Sequence, residues 1–229
     1  MAPYIDIHTH CRATTQNIQV LVLNPTEWRN ILYSVKEFYS VGIHPWHSND
    51  RNIAEQLEWL EEALQKTNVL ALGEVGLDRS INIPLGLQES VLKAQIRLSK
   101  HHLKPLVFHA ARTTSDILSI CKQKKVYQPF IVHGFTGKPE AVQQISRAGG
   151  YVSFGAKIIE NRSWDEALKE AYKLNNFFFE TDEAAIEINA VYQKAAEVLE
   201  VDTDQLKEQV YAYFCEVFGK AVQSLYATE

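Results

Sequence analysis

Apolar residues along this chain follow two alternating periods. Short continuous runs rich in β-branched and aromatic residues occur at 4–8, 18–22, 38–43, 69–74, 106–109, 130–133, 151–154 and 177–180. Runs of this length suit strands buried on both faces, as in a parallel sheet. Between most of them the apolar positions recur every three to four residues. Ile53, Leu57, Leu60 and Leu64 do so within 52–65, and Val91, Ala94 and Leu98 within 87–101, the period of an amphipathic helix. Strand and helix in alternation imply parallel strands joined by right-handed crossovers, and eight strands can close a barrel. The expected fold is therefore of the α/β class, a single-domain TIM (β/α)8 barrel over residues 1–229. Its first β/α unit is irregular, because the stretch between the first two runs is too short for a full helix. Pro105 and Gly149-Gly150 read as helix stops. Two helices, 184–199 and 203–218, end the pattern, the second capped by Thr203 or Asp204.

The polar residues that interrupt this pattern gather at one end of it. His8, His10, Glu74, His109, His133 and Asp182 each stand at or just after the last residue of a strand-like run, and barrel enzymes keep their chemistry at the C-terminal ends of the strands. Each alone has a plainer explanation, as a hydrogen-bonded core histidine or a helix-capping carboxylate. Six at the same end describe a metal site. His8 and His10, two apart on a strand, point to one side. Glu74 and Asp182 can complete the shell of one ion while His109 and His133 hold a second, with Glu74 bridging the two. The expected cofactor is two divalent ions per chain, Zn, Mn or Mg, since a mixed imidazole and carboxylate shell accepts several. Paired ions acidify water and clamp the attacking and leaving oxygens of a displacement, so the expected reaction is hydrolysis. Asp182 and Glu74 are the expected catalytic residues, Asp182 holding or deprotonating the attacking water.

Five blocks, Asp6-Ile-His-Thr-His10, Gly42-Ile-His-Pro45, Gly73-Glu-Val-Gly-Leu-Asp78, His133-Gly-Phe-Thr-Gly137 and Glu180-Thr-Asp182, occur in an order that resembles the TatD family of metal-dependent hydrolases, the TatD-related deoxyribonucleases. The resemblance runs from residue 4 to about 182. It implies a TIM barrel with a dinuclear site, the six residues above matching the family's ligand positions and His44 a substrate-phosphate contact. Several positions depart from the family pattern. His109-Ala-Ala-Arg112 is one residue longer than the common His-x-Arg, Arg79 replaces an aromatic residue, and Gly134 stands where cysteine is frequent. The long basic loop after the last aspartate is replaced by Glu183-Ala-Ala-Ile186, which leads almost directly into a helix. These departures leave the metal ligands intact and alter the substrate rim.

Composition narrows the field further. With 46% hydrophobic and 22% charged residues, the chain has the composition of a soluble globular protein. A formal net charge of -5 argues against a broadly basic nucleic-acid surface. Yet Arg12, Arg79, Arg112, Lys138 and Lys157 all follow strand ends on the expected catalytic face, which favours an anionic substrate, DNA or a small phosphoester, with Trp46 and Phe135 placed to stack on a base. Such loop charges also pair with carboxylates in many proteins. The Lys122, Lys124 and Lys125 run and His101-His102 read as solvated helix ends. Cys11, Cys121 and Cys215 are too few and scattered for a disulfide framework. The start carries no leader pattern and no run is long enough to span a membrane. A cytoplasmic monomer with no membrane association and no obligate protein partner is expected.

The leading expectation is a phosphodiesterase or deoxyribonuclease. A metal-dependent amidohydrolase or lactonase is the second, because barrels of this kind host many chemistries. The third is a weakly active or inactive barrel that serves as a binding protein.

Overall fold

The computed structural model describes residues 2–12, 17–30 and 37–219. Among them the chain runs β1 (Ile5–Thr9), β2 (Ile18–Leu23), α1 (Pro25–Asn30), β3 (Phe38–Val41), α2 (Ile53–Leu64), β4 (Val69–Asp78), α3 (Leu85–His102), β5 (Leu106–Ala111) and α4 (Thr114–Lys124). It continues through β6 (Phe130–Val132), α5 (Pro139–Arg147), β7 (Gly150–Phe154), α6 (Lys157–Glu160), α7 (Asp165–Leu174), β8 (Phe177–Phe179), α8 (Ile188–Leu199) and α9 (Thr203–Phe218). The eight strands lie in sequence order in one sheet. This is the (β/α)8 TIM-barrel topology expected from the alternating periods, and no helix is described between β1 and β2. The chain divides into two compact units, Met1–Leu21 with Val132–Glu229, and Val22–Ile131.

In the first unit β1 pairs with β2 in parallel, Ile5 opposite Ile18 and Asp6 opposite Gln19. Strand β7 pairs likewise with β8, Val152 opposite Phe177 and Phe154 opposite Phe179. Phe177, Phe178 and Phe179 are all fully buried, which explains an unbroken apolar triplet where a half-exposed strand would alternate. Helices α8 and α9 contribute Val191, Tyr192, Leu206, Val210 and Phe214 to the same core. The ring of Tyr192 meets Phe179 at 4.6 Å and Tyr4 at 5.1 Å. Its hydroxyl donates to the Ile5 carbonyl at 3.1 Å and accepts the Ile5 N–H at 3.2 Å, so α8 supplies both polar partners that the first residue of β1 needs.

In the second unit β3 pairs with β4, Tyr39 opposite Val69 and Val41 opposite Leu72. Strand β4 pairs with β5, where a register shift between Leu72 and Val75 is followed by Gly76 opposite His109 and Asp78 opposite Ala111. Both strands outrun the apolar runs that signalled them: β4 continues past Glu74 to Asp78, and β5 past His109 to Ala111. The ladder beyond the shift supplies the hydrogen bonds that hold this extension, a pairing that hydrophobic period does not register.

Two boundaries also differ from expectation. Helix α8 starts at Ile188 instead of 184, because Ala184 N bonds Thr181 O at 2.9 Å and Ile186 N bonds Ala184 O at 2.8 Å, which spends those residues on turns. The cap of α9 is Asp202, whose side chain accepts the Asp204 N–H at 2.7 Å, and not Thr203 or Asp204.

Replacing Tyr192 by Phe removes the hydroxyl between two backbone groups of β1 while keeping the ring contacts. A loss of about 1–2 kcal/mol in urea unfolding is expected; an unchanged midpoint would show that those groups find other partners.

Candidate functional site

The donors of the first unit are aligned by the pairing of β1 with the chain after β8. Asp182 N donates to the His8 carbonyl at 2.9 Å, His10 N donates to the Asp182 carbonyl at 3.1 Å, and Thr9 and Asp182 form a parallel bridge. Asp182 itself has φ +54°, the left-handed region that aspartate tolerates better than most residues. Behind this turn Asp6, fully buried, accepts the Thr181 N–H at 3.0 Å and the Thr181 hydroxyl at 2.7 Å. Burial pushes the Asp6 carboxyl up to about 7 against the lowering effect of those two bonds.

Held in this way, Asp182 Oδ1 lies 3.7 Å from His8 Nε2 and 3.6 Å from His10 Nε2. His8 stacks on His133 with ring centroids 4.0 Å apart and planes 18° from parallel. His133 Nδ1 is 3.6 Å from Oε1 of Glu180, which also accepts the Gly134 N–H at 2.7 Å. Burial works against the Glu180 charge, but the His133 and His8 imidazoles outweigh it and hold the carboxyl below its ordinary value. His8, His10 and Asp182 form one group of potential ligand atoms within 4.8 Å of one another, and His133, Glu180 and Asp182 a second that shares Asp182. Beside them opens a cleft of about 230 Å³, lined in part by Gly134, Phe135, Lys157, Glu180, Asp182 and Glu183.

The second unit has its own group, His44, Glu74 and His109. Glu74 Oε1 is 3.1 Å from His44 Nε2 and 2.8 Å from His109 Nδ1. His44 Nδ1 accepts the Trp46 N–H at 3.2 Å, capping the short helical turn Pro45–His47. A neutral His44 therefore carries its proton on Nε2 and donates it to Glu74. His109 reaches in both directions, its Nε2 lying 3.1 Å from Asp78 Oδ2. Burial pushes the Asp78 carboxyl up, yet hydrogen bonds from Ser80, Trp46 and His109 prevail and hold it at about 2.

The first group fits a divalent cation as it stands, and the second fits one once His44 carries its proton on Nδ1 in place of the Trp46 N–H bond. An ion about 2.0–2.2 Å from each of two donors holds them roughly 3.0–3.7 Å apart at bond angles of about 90–115°. The His8 and His10 distances to Asp182 fall there, too long for hydrogen bonds. In the second unit the two imidazole nitrogens facing Glu74 Oε1 sit at hydrogen-bond distance, where protons take the place that a cation would occupy.

All six expected ligands are thus found in donor groups: His8, His10, His133 and Asp182 in the first unit, Glu74 and His109 in the second. The structure adds Glu180 and His44. His44, expected as a phosphate contact, lies beside Glu74 and His109, its Nε2 3.1 Å from Glu74 Oε1. Of the expected substrate contacts, Arg12 and Arg112 are exposed, and Arg79 is engaged with Asp116 at 2.8 Å. Trp46 is 57% exposed. Phe135 is 5% exposed, meets Phe154 edge-on at 5.9 Å and lies against Gly137, while also bordering the cleft that Asp182 lines. A further group, Glu61 of α2 with His101 and His102 at the end of α3, lies mostly exposed.

Glu180 and Asp78 carried no assigned role in the sequence reading, although both lie inside motif blocks. Their signal was an acidic residue at the end of a buried strand, or just after it, where charge demands a partner.

With fold and donors in place, the chain can be set beside known proteins. A family model described as TatD related DNase matches residues 5–219, and the chain belongs to that family. It is similar to YabD of Bacillus subtilis (strain 168), an uncharacterized metal-dependent hydrolase, with 31% identity over 123 residues that cover 53% of this chain and 48% of that protein. It is similar also to YjjV of Escherichia coli (strain K12), described in the same words, with 26% identity over 162 residues covering 66% and 62%. The chain thus spans about half to somewhat under two thirds of these two relatives. In three dimensions it resembles the crystal structure of the TatD homolog YjjV from Escherichia coli K12, with TM-score 0.80, 18% identity and coverage of 94% and 97%. A hydrolase of the TatD family from Entamoeba histolytica gives TM-score 0.75 and 15% identity over 96% and 99%. At these identities the two structures speak to the fold alone.

The approach of β4 to β5 generates a prediction about the donors. Gly76 has φ +148°, and a Cβ there would lie 1.9 Å from the His109 carbonyl oxygen, a clash that only displacement of His109 relieves. Gly76→Ala is expected to destabilise the protein by about 2 kcal/mol or more and to weaken metal binding, both read by chemical unfolding with and without added Zn²⁺. A variant that matched the wild type in both would show that β5 shifts without cost.

Proposed function

We propose that this chain is a divalent-metal-dependent hydrolase of phosphate esters, with DNA or a smaller phosphodiester as substrate. The observation that carries this reading is the pair of donor groups, each setting two imidazoles around one carboxylate: His8 and His10 around Asp182, His44 and His109 around Glu74. Two divalent ions per chain, Zn, Mn or Mg, suit this donor chemistry. When bound, such ions supply Lewis acidity toward a phosphoryl oxygen and lower the pKa of water.

The protein's own residues do the rest. Asp182, 41% exposed at its side chain, takes the proton of the attacking water. Glu74 fixes the two imidazoles of its group. Lys157 opens on the cleft that Asp182 lines, a cation for an anionic substrate. Arg79, engaged by Asp116, contributes less. The family's description as TatD related DNase and the relatives' description as metal-dependent hydrolases support the same reading.

A second reading, an amidohydrolase or lactonase, draws on the lining of the cleft, where Glu160, Glu180, Asp182 and Glu183 face a single Lys157. That acidic balance favours a small or neutral substrate over a polyanion.

The deciding experiment follows a 3′-labelled single-stranded oligonucleotide and a small phosphodiester, with an amide and a lactone in parallel, after chelation and readdition of Mg²⁺, Mn²⁺ or Zn²⁺. Metal-dependent phosphodiester cleavage is expected, lost in Glu74→Ala and reduced at least about 100-fold in Asp182→Asn, which removes the base. Cleavage of the amide or lactone alone would replace the phosphoesterase reading with the second. Full activity of Asp182→Asn would remove Asp182 as the base.

A further inference from the structure

Asp78 is a buried carboxylate that accepts from four donors. Its Oδ1 accepts the Ser80 N–H at 2.7 Å and the Ser80 hydroxyl at 2.5 Å. Its Oδ2 accepts the Trp46 indole N–H at 2.8 Å and lies 3.1 Å from His109 Nε2. The backbone behind it is fixed too. Gln88, 1% exposed, accepts the Asp78 N–H at 2.7 Å and donates its amide to the carbonyls of Asp78 and Ile83 at 3.0 and 2.8 Å. With Ser80 occupying Oδ1, the carboxylate cannot turn Oδ2 away from Trp46 and His109.

Two consequences follow from this geometry. An ionised carboxylate only accepts, so His109 satisfies Oδ2 by carrying a proton on Nε2; a metal ion bound between His109 and Glu74 then displaces only the proton on the Nδ1 side and takes the Nδ1 lone pair. A histidine that donates one ring N–H to a carboxylate and offers the other nitrogen is the arrangement that orients imidazole ligands on metals. Trp46, in turn, is 57% exposed but anchored at one edge. Its ring meets His44 edge-to-face at 4.9 Å, and His44 meets His109 at 4.6 Å. An exposed indole already held in place loses little conformational freedom when a flat ring stacks on it.

We propose that Asp78 is a positioning residue for two parts of the site at once: it sets the tautomer in which His109 presents Nδ1 to a metal ion, and it holds the Trp46 indole as a rigid platform for the base of a nucleotide substrate. The choice of a nucleotide rests on the phosphoester reading above; the tautomer does not.

Two measurements test the pair. In zinc-loaded protein carrying ¹⁵N-labelled histidine, long-range ¹H–¹⁵N correlation, with His109 assigned by its loss in His109→Asn, is expected to place the proton on Nε2; a proton on Nδ1 overturns the tautomer assignment. In manganese-loaded protein, calorimetric titration compares deoxyadenosine 5′-monophosphate with 2-deoxyribose 5-phosphate, which has the same phosphate and no base. The base is expected to tighten binding about 10-fold in the wild type, with the ratio falling to about 1 in Trp46→Ala and Asp78→Asn, and metal affinity falling at least about 10-fold in Asp78→Asn alone. Trp46→Ala changes an exposed residue, so it reports on the platform even if Asp78→Asn fails to fold. Equal affinities in the wild type, or a base preference that survives Trp46→Ala, overturn the platform. Failure of both ligands to bind overturns the phosphoester reading and the nucleotide platform together, and leaves the tautomer result standing by itself.

Discussion

A carboxylate removed from water costs several kcal/mol unless it is paired and hydrogen-bonded, and four such groups govern how this chain arranges its donors. Asp6, Glu74, Asp78 and Glu180 are all buried. Each has been given partners that also carry site chemistry. Asp6 takes both polar hydrogens of Thr181 and so fixes the backbone that turns Asp182 toward His8 and His10. Glu180 is held between Gly134 and His133. Glu74 draws His44 and His109 together, and Asp78 restrains His109 from behind. Meeting the hydrogen-bond demand of these buried carboxyl groups helps to fix the imidazoles, so fold stability and site geometry depend on the same bonds.

Much of this was legible in the chain. A continuous apolar run that ends on His, Glu or Asp marks a buried strand and the polar residue at its mouth, and all eight strands lie at or near the runs that announced them. His8 and His10 were readable as a pair because strand geometry places alternate residues on one side. What escaped depended on partners distant in sequence. The extension of β4 to Asp78 needs the ladder with β5 across a register shift, and no local period encodes it. Phe135 follows a strand end and borders the cleft, but the packing of Gly137 and Phe154 against it becomes visible only once β7 is in place. The ion pair of Arg79 with Asp116 of α4 likewise joins residues far apart in sequence. Asp78 and Glu180 were passed over because a carboxylate at or beyond the end of an apolar run gives no hint of which donors will reach it.

The departures from the family pattern gain meaning from the geometry. The turn bonds of Ala184 and Ile186 take up the chain after Asp182, which leaves Glu183 and Ala184 at the wall of the cleft that Asp182 lines. Arg112, one position later than the usual arginine, has φ +58°, a backbone state that redirects its side chain from the path a continuing strand would give it. The donors keep a metal-binding character while the residues around them depart from the family pattern.

The central claim is that two groups of imidazole and carboxylate donors each hold a divalent cation. Calorimetric titration of chelator-stripped protein with Zn²⁺ or Mn²⁺ tests it most directly, with the wild type beside His10→Ala and His44→Ala. Two saturable sites per chain are expected, one weakened by each substitution and the other left in place. Absence of saturable binding, or two sites indifferent to both substitutions, would contradict it.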